Sequence, residues 1–402
     1  MIAPTRPDAL FPRESDGPLA GVVIADLSRV LAGPYATMLL ADMGALVIKV
    51  ESPRGDDTRT WMPPVRDGEA TYFLSANRGK YSIALDFADP AQLRTAREII
   101  ARADVLVENF APGRLDRFGL DYDTLAARHP DLVYASITGF GTEAGADLPG
   151  YDLLVQAVSG LMDLTGPADG DPTKVGVAVV DVITGLHAAT GILAALHARS
   201  ATGHGEHIEV NLLSSVLSGL VNQASAVVAG GAVPTRMGNA HPSVYPYEPF
   251  PTADRDLVIA VGNDAQFARL CEALGLPELA GDPRFMAMAG RNRHRADLRP
   301  LLADRLRTRT ADQWFELLRA AQVPCGPIQG IDAGLRLAER LGLDPVVQAG
   351  SGKRRIPTVR HPIRYSRSHV DYSQAPPRLD ADGDRVRAWL AAGERGRVTT
   401  PR

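Results

Sequence analysis

The first 140 residues alternate short apolar runs with stretches of helical period, and few architectures accommodate that rhythm. GVVIADLS (21–28), ALVIKVE (45–51), YSIALDF (81–87), DVLVENF (104–110) and LVYASITGF (132–140) lack the apolar–polar alternation of a half-exposed strand, so they read as strands buried in a parallel sheet. Between them, Tyr35 to Met43 reads as a helix ending at Gly44, with Gly33-Pro34 marking the turn before it. Pro90–Arg102 and Tyr122–Arg128 read as further helices. Strand, helix, strand within about thirty residues is a βαβ unit. The spacing therefore predicts an α/β, doubly wound sheet with ligands gathered at the carboxyl ends of its strands. The loops there are Ser28–Pro34, Glu51–Arg59, Asn109–Arg117 and Gly139–Asp152.

Beyond them, Leu153, Leu154, Ala157, Val158 and Leu161 recur at helical spacing and predict a buried helix from Asp152 to about Leu164. Asp152 stands where the chain turns into it, a position suited to an N-cap. A long helix follows from about Val180 to Arg199, with Gly185 and Gly191 allowing close helix packing. Asp181, Thr184 and His187 interrupt its apolar run, which favours a buried helix over a membrane span. HIEVN (207–211) precedes an apolar helix over Leu212–Ala229, and Gly230–Pro251 reads as a linker. At 402 residues the chain exceeds one usual core. DLVIAV (256–261), helices near 264–275, 296–307 and 310–321, and VPCGPI (323–328) suggest a smaller α/β domain. IPTV and HPIRYS read as short strands before a helix near 383–391, while residues 1–18 and 393–402 read as loose.

A net charge of −4 with no Lys/Arg-rich block argues against nucleic acid or a membrane surface as partner. Cys271 and Cys325, without C-x-x-C spacing, suit a reducing, cytoplasmic compartment and exclude a zinc site or disulfide scaffold. The amino-terminal stretch has no apolar core of a secretory signal. No GxGxxG follows the first strand, which argues against NAD. His187, His197, His204 and His207 show no metal-ligand spacing with Asp or Glu, so no metal is expected. Trp61, Trp314 and Trp389 read as packing residues.

RVLAGPYATMLLADMGALVIKVESP (29–53), ENFAPGRLDRFGLDYDTL (108–125) and GYDLLVQAVSGLM (150–162) occur in the order found in the class III coenzyme A transferases of CaiB/BaiF type, and the chain resembles that family from about Leu19 to Pro376. The resemblance implies a large Rossmann-like domain (19–229), a small domain (230–330), a segment (331–402) rejoining the large one, and two subunits interlocked as a homodimer. It implies a CoA-transferase that moves CoA from an acyl-CoA donor to a free carboxylic acid, with coenzyme A or acyl-CoA as substrate and no tightly bound cofactor. The family's nucleophilic carboxylate falls on Asp152, a role compatible with a helix entrance because that end favours the ionised form.

By the same resemblance Asn109, Phe110 and Arg117 border the nucleotide, and Lys49, Arg54, Arg59, Arg78 and Lys80 are candidates for the CoA phosphates. Tyr151, Asn239 and His241 are candidates for positioning an acyl group or carboxylate, and the amides of the 139–150 loop for holding an oxyanion. Leu31 stands where formyl-CoA transferase has a glutamine, and AVGNDAQF (260–267) lacks its tetraglycine loop. Succinyl-CoA with dicarboxylate or short branched acceptors therefore fits better than oxalate or formate. α-Methylacyl-CoA racemases share the fold but pair the equivalent aspartate with a histidine; Tyr151 is a poor base, given a phenol pKa near 10. A CoA-binding protein without turnover is the remaining alternative.

Overall fold

In the computed structural model, which describes residues 10–11 and 16–392, six strands run parallel in one sheet. They are β1 (Val23–Asp26), β2 (Leu46–Glu51), β3 (Lys80–Ala84), β4 (Val105–Glu108), β5 (Val133–Thr138) and β6 (His207–Asn211). Their order is β3-β2-β1-β4-β5-β6. Growth reverses direction between β1 and β4, and in such sheets the reversal opens a crevice at the carboxyl ends. Successive side chains point to opposite faces, and both faces are covered. Val23, Ala25, Leu46 and Ile48 join one core cluster, while Ile24 and Val47 join the other. That two-sided burial is why these strands read as unbroken apolar runs.

Helix α1 (Ala32–Asp42) supplies one face together with the later helix Val179–Thr202; α2 (Pro90–Arg102) and the closing helix Gly383–Ala391 supply the other. The exposed edge of β3 is covered by the returning chain. The amides of Ser82 and Ala84 donate to the carboxylates of Asp382 (3.1 Å) and Asp380 (2.9 Å), and the Asp382 amide donates back to Ser82 (3.0 Å). Of the stretches read as loose, residues 1–9, 12–15 and 393–402 lie outside the described residues, but Phe11 is buried against Tyr81 and Trp389.

After β5 come α3 (Asp152–Val158), α4 (Val179–Thr202), α5 (Leu212–Gly219) and α6 (Val221–Val228). Three expectations change here. Helix α3 stops at Val158, and its apolar residues Leu153, Leu154 and Val158 are exposed; only Val155 and Gln156 are buried. The helix over 212–229 is two helices, broken where Val221 takes φ +40°. HPIRYS is not a strand; its His361 is buried, with the ring nitrogen Nδ1 3.1 Å from Asp42. Gly185 does bring helices together, since a Cβ there would lie 2.6 Å from the Ala32 carbonyl on α1, whereas Gly191 faces Ile208 of β6. Helix α4 is long and apolar enough to cross a membrane; here Val180, Ala188, Ile192 and Ala195 are buried in the core. Trp314 and Trp389 are buried as packing residues, but Trp61 is exposed beside Tyr72.

The chain divides into two compact units. The first takes the chain through Leu161, Val175–Gly231 and the part from Asp344 on; the second takes Met162–Lys174 and Ala232–Leu343. The second unit has its own three-stranded antiparallel sheet, with Asp256–Ala260 between Tyr247–Pro251 and Cys325–Pro327. Phe250, Ile259, Phe267, Leu302 and Trp314 centre its core. Thr310 starts one of its helices with a capping box to Gln313. Arg236 ties in the 162–174 segment by donating to the carbonyls of Asp163, Pro167 and Gly170.

Candidate active site

Asp152 is the first residue of α3, and Tyr151, with extended backbone, is the residue before it. The two are placed by a backbone crossing. Gly139, just past β5, lies so close to Gly150 that a Cβ on it would meet Gly150 Cα at 2.4 Å, so neither position can carry a side chain. The Asp152 carboxylate does not cap its own helix. Its Oδ1 accepts hydrogen bonds from the amides of Val180 (2.8 Å) and Asp181 (3.3 Å), the first turn of α4. Its Oδ2 accepts from Gln156 Nε2 (2.6 Å), one turn along α3. Gln156 is buried and fixed in turn, its Oε1 accepting from the Val175 amide (2.9 Å).

Among the described residues no Lys, Arg or His pairs with Asp152. A helix N-terminus and a side-chain amide hold its charge instead. A second carboxyl group stands beside it. Asp181, in the first turn of α4, is 9% exposed, and burial together with the Asp152 charge pushes its carboxyl up to about 7. Tyr72 is half-buried and feels the same charges: burial, then Asp181, Asp152 and Asp56, push its phenol up to about 12. Asp181, Gln156 and Tyr72 were not among the candidates from sequence. The available signal for Asp181 was an acid inside an otherwise apolar helix. Tyr151 itself is exposed, and within the 139–150 loop the Gly141, Ala146 and Leu148 amides are spent on Thr138, Glu143 and Gly145.

At the reversal between β1 and β4 the two loops are joined. The Arg29 amide donates to Asn109 Oδ1 (2.9 Å), and Asn109 Nδ2 donates to the Arg29 carbonyl (2.8 Å). The Arg29 guanidinium lies 5.5 Å from the Phe110 ring centre. Between Arg29 and α1, Val30 holds φ +69°, a strained setting for a β-branched residue. Its amide donates to Asp56, which also caps the turn at Thr58. Phe110 lines a cavity of about 260 Å³ with Glu108, Tyr122, Ser136 and His207. Ser136 Oγ is 2.9 Å from His207 Nε2, and Tyr122 stacks on that ring at 4.5 Å. Burial raises the Glu108 carboxyl and lowers the His207 imidazole from their ordinary values. Asp152 does not line this cavity.

Four of the cations expected at the CoA phosphates have other work. Lys49 is fully buried, donating to Asp56 (3.0 Å) and the Ser28 carbonyl (2.9 Å). Lys80 is fully buried on Asp26 (3.0 Å), Asn77 (2.9 Å) and the Pro34 carbonyl (2.9 Å). Arg78 grips Asp42 with two hydrogen bonds (2.9 and 2.6 Å), and Arg59 grips Glu51 likewise (2.8 and 2.6 Å) over the Phe73 ring. A cation already paired with a buried carboxylate has its charge compensated, and turning to a ligand phosphate would leave that carboxylate unpaired. For Asp26, burial alone would raise the carboxyl, but Lys80, Lys49 and the hydroxyls of Ser28 and Thr37 bring it to about 2. Arg54 is exposed after β2, and Arg117 is exposed over the Phe118 ring. In the second unit, Asn239 is exposed, and His241 Nδ1 accepts from the amides of Ser243 (3.0 Å) and Val244 (3.1 Å) beside the Tyr247 ring.

A Rossmann-ordered sheet that lacks the glycine-rich dinucleotide turn, and sets a carboxylate on a helix N-terminus past its fifth strand, defines an α/β enzyme with a carboxylate rather than a nicotinamide to offer. The model of CoA-transferase family III matches residues 19–383, and the chain belongs to that family. The chain is 43% identical over 399 residues to a succinate–glutarate CoA-transferase of Agrobacterium fabrum, covering 94% of this chain and 97% of that one. It is 39% identical over 388 residues to an acetyl-CoA:oxalate CoA-transferase of Acetobacter aceti, covering 95% and 98%. The crystal structure of a CaiB/BaiF family protein from Brucella suis superposes with a TM-score of 0.83 at 42% identity, covering 93% of this chain and 99% of that chain. The protein is an enzyme of the class III CoA-transferase type.

Proposed function

We propose that this enzyme transfers CoA from succinyl-CoA to a small dicarboxylate through a covalent intermediate on Asp152. The observation that carries the reading is the Asp152 carboxyl group, held by the amides of Val180 and Asp181 with no ion-pair partner among the described residues. A helix N-terminus stabilises the anion yet leaves it nucleophilic, whereas a buried ion pair would bind up its lone pairs.

Asp152 attacks the thioester carbonyl: a C–O bond forms, the C–S bond breaks, and the electron pair leaves on the CoA sulfur. The thiolate then attacks the Asp152 side of the mixed anhydride, releasing the donor acid and leaving an aspartyl-CoA thioester. The acceptor carboxylate displaces CoA to form a second anhydride, which CoA opens at the acceptor's carbonyl, restoring Asp152. Each exchange conserves the activated bond provided that water is excluded. Names of the relatives, which act on succinyl, glutarate and oxalate compounds, support a dicarboxylate acceptor and reopen oxalate, which the Leu31 departure had argued against.

Asn109, Phe110 and Arg117 border the nucleotide in this reading. Their support is the joined loops at the sheet reversal and, for Arg117, an exposed guanidinium without a carboxylate partner among the described residues. The enzyme acts as a homodimer in which a second copy covers the apolar residues left bare on α3, α4 and α6, among them Leu153, Val158, Leu186 and Val228.

The test is a panel of free carboxylic acids against succinyl-CoA and acetyl-CoA, with wild type and Asp152→Ala compared. Wild type should form new acyl-CoA, and the variant should lose about a thousandfold or more while keeping its circular dichroism. Hydroxylamine added with acyl-CoA should mark position 152 in wild type alone. An active variant would remove the nucleophile; α-proton exchange without transfer would point to racemisation instead.

A further inference from the structure

The mechanism above uses Asp152 and leaves its neighbour without a task. Asp181 is 9% exposed, and its carboxyl has no hydrogen-bond or ion-pair partner among the described residues. Its own backbone amide is one of the two that hold Asp152. An acid in the first turn of a helix ordinarily interacts with that helix's free N–H groups. Here the amides of Val180 and Asp181 are occupied by a carboxylate from another helix. Two carboxyl groups therefore meet at the first turn of one helix, neither paired with a cation among the described residues, and both cannot be ionised there cheaply.

We propose that Asp181 is a positioning residue for Asp152: protonated, it leaves the helix N-terminus to the nucleophile, and ionised, it competes for that terminus and suppresses acylation. The inference rests on Asp152 being the acyl acceptor. Its physical content is a division of labour between like groups, one kept neutral so that the other stays charged. With Asp181 ionised, the oxyanion and the departing thiolate would build negative charge next to a second carboxylate, which raises the barrier. Acylation cancels the Asp152 charge, so the neighbour is released from repulsion in the intermediate and the proton on Asp181 is held less tightly. The elevated carboxyl of Asp181, at about 7, agrees with this geometry.

The groups that could confuse the titration are few. Helix α3 brings Asp152, and the short helix Thr71–Ala76 brings Tyr72, which stays neutral throughout this range. Helix α1 brings Tyr35 against Gly185, and its Asp42 is paired with Arg78. Helix α5 has no ionisable side chain, and β5 and β6 bring Tyr134, His207 and Glu209 to the cavity beside Phe110. His187, further along α4, bonds Ser215. Of all these only Asp152 acts on Asp181.

The experiment is the burst of CoA released when the whole enzyme is mixed with excess succinyl-CoA, followed from pH 6 to pH 9 in wild type, Asp181→Asn and Asp181→Ala. A group titrating near 7 goes from mostly protonated to mostly ionised between pH 6 and pH 8, so the wild-type burst rate should fall about tenfold. Asp181→Asn, permanently neutral, should be flat over that range and faster than wild type at pH 8. A wild-type rate that is level between pH 6 and pH 8 overturns the inference, whether or not either variant folds. So does a fall that persists in both variants. No burst at any pH from folded wild type overturns the covalent reading itself, an outcome distinct from a burst without pH dependence.

Discussion

Two groups of carboxylates serve this molecule, and they are treated in opposite ways. Under the β1–β2–β3 side of the sheet, Asp26, Asp56 and Glu51 meet Lys80, Lys49 and Arg59, three acids on three cations. At the start of α4, Asp152 and Asp181 meet amides and each other. The first group pairs each acid with a cation, so its charges are compensated and it holds loops in place. It does so where it matters: Asp56 reaches Val30, and Lys49 reaches the Ser28 carbonyl, in the loop after β1. The second group keeps charge in store. Compensation builds a frame; its absence leaves something to react.

The contrast can be broken most severely at Lys80. Replacing it with Met leaves Asp26 buried beside a vacated partner, and losing one member of such a pair costs about 3–5 kcal/mol. The denaturant midpoint should fall accordingly, and a loss below about 1 kcal/mol would show that Lys80 is no counter-charge.

The opposite sign is expected at the second group. The Asp181 carboxyl is raised from 3.8 to about 7, so its stabilising protonated form is complete below about pH 4 and lost as pH rises through 7. Asp181→Asn should therefore leave stability unchanged at pH 4 and raise it by roughly 2–4 kcal/mol at pH 8, at about 1.36 kcal/mol per unit. Thermal unfolding at the two pH values measures this, and equal effects at both would contradict it.

The smallest effect separates free cations from spent ones. Arg117→Ala should raise KM for acyl-CoA about fivefold, close to 1 kcal/mol, with kcat unchanged. Arg78→Met should lower stability and leave the KM of the remaining folded enzyme alone. Reversed outcomes would restore Arg78 to the phosphates.

The sheet was legible because its strands are buried on both faces. Nothing but a parallel core needs five runs such as ALVIKVE with helices between them. Helix α3 was misjudged for the same reason turned round. Leu153 and Val158 obey helical spacing, but spacing says only that a face is apolar and not what covers it. The basic residues show a deeper gap. Lys49 and Arg54 look alike in sequence, and only register decides the matter: one side chain points into the sheet toward Asp56, the other out from the loop. Asp152 was identified from its surroundings as a helix entrance, yet the helix that it serves begins 27 residues later, a pairing that no local pattern contains. Asp181 was noticed only as an interruption, although a lone acid in an apolar helix is costly enough to need a reason.

The grip of Asp152 on the start of α4 has one more implication. On the proposed covalent mechanism, an Asp152 carboxyl bound up in an anhydride or thioester is no longer an anion, so each catalytic cycle would withdraw the cap from a 24-residue helix and later return it. Backbone protons at positions 180 and 181 would then exchange with deuterium fastest while cargo is aboard. The enzyme would carry, in the fraying of a single turn, a record of whether it is loaded.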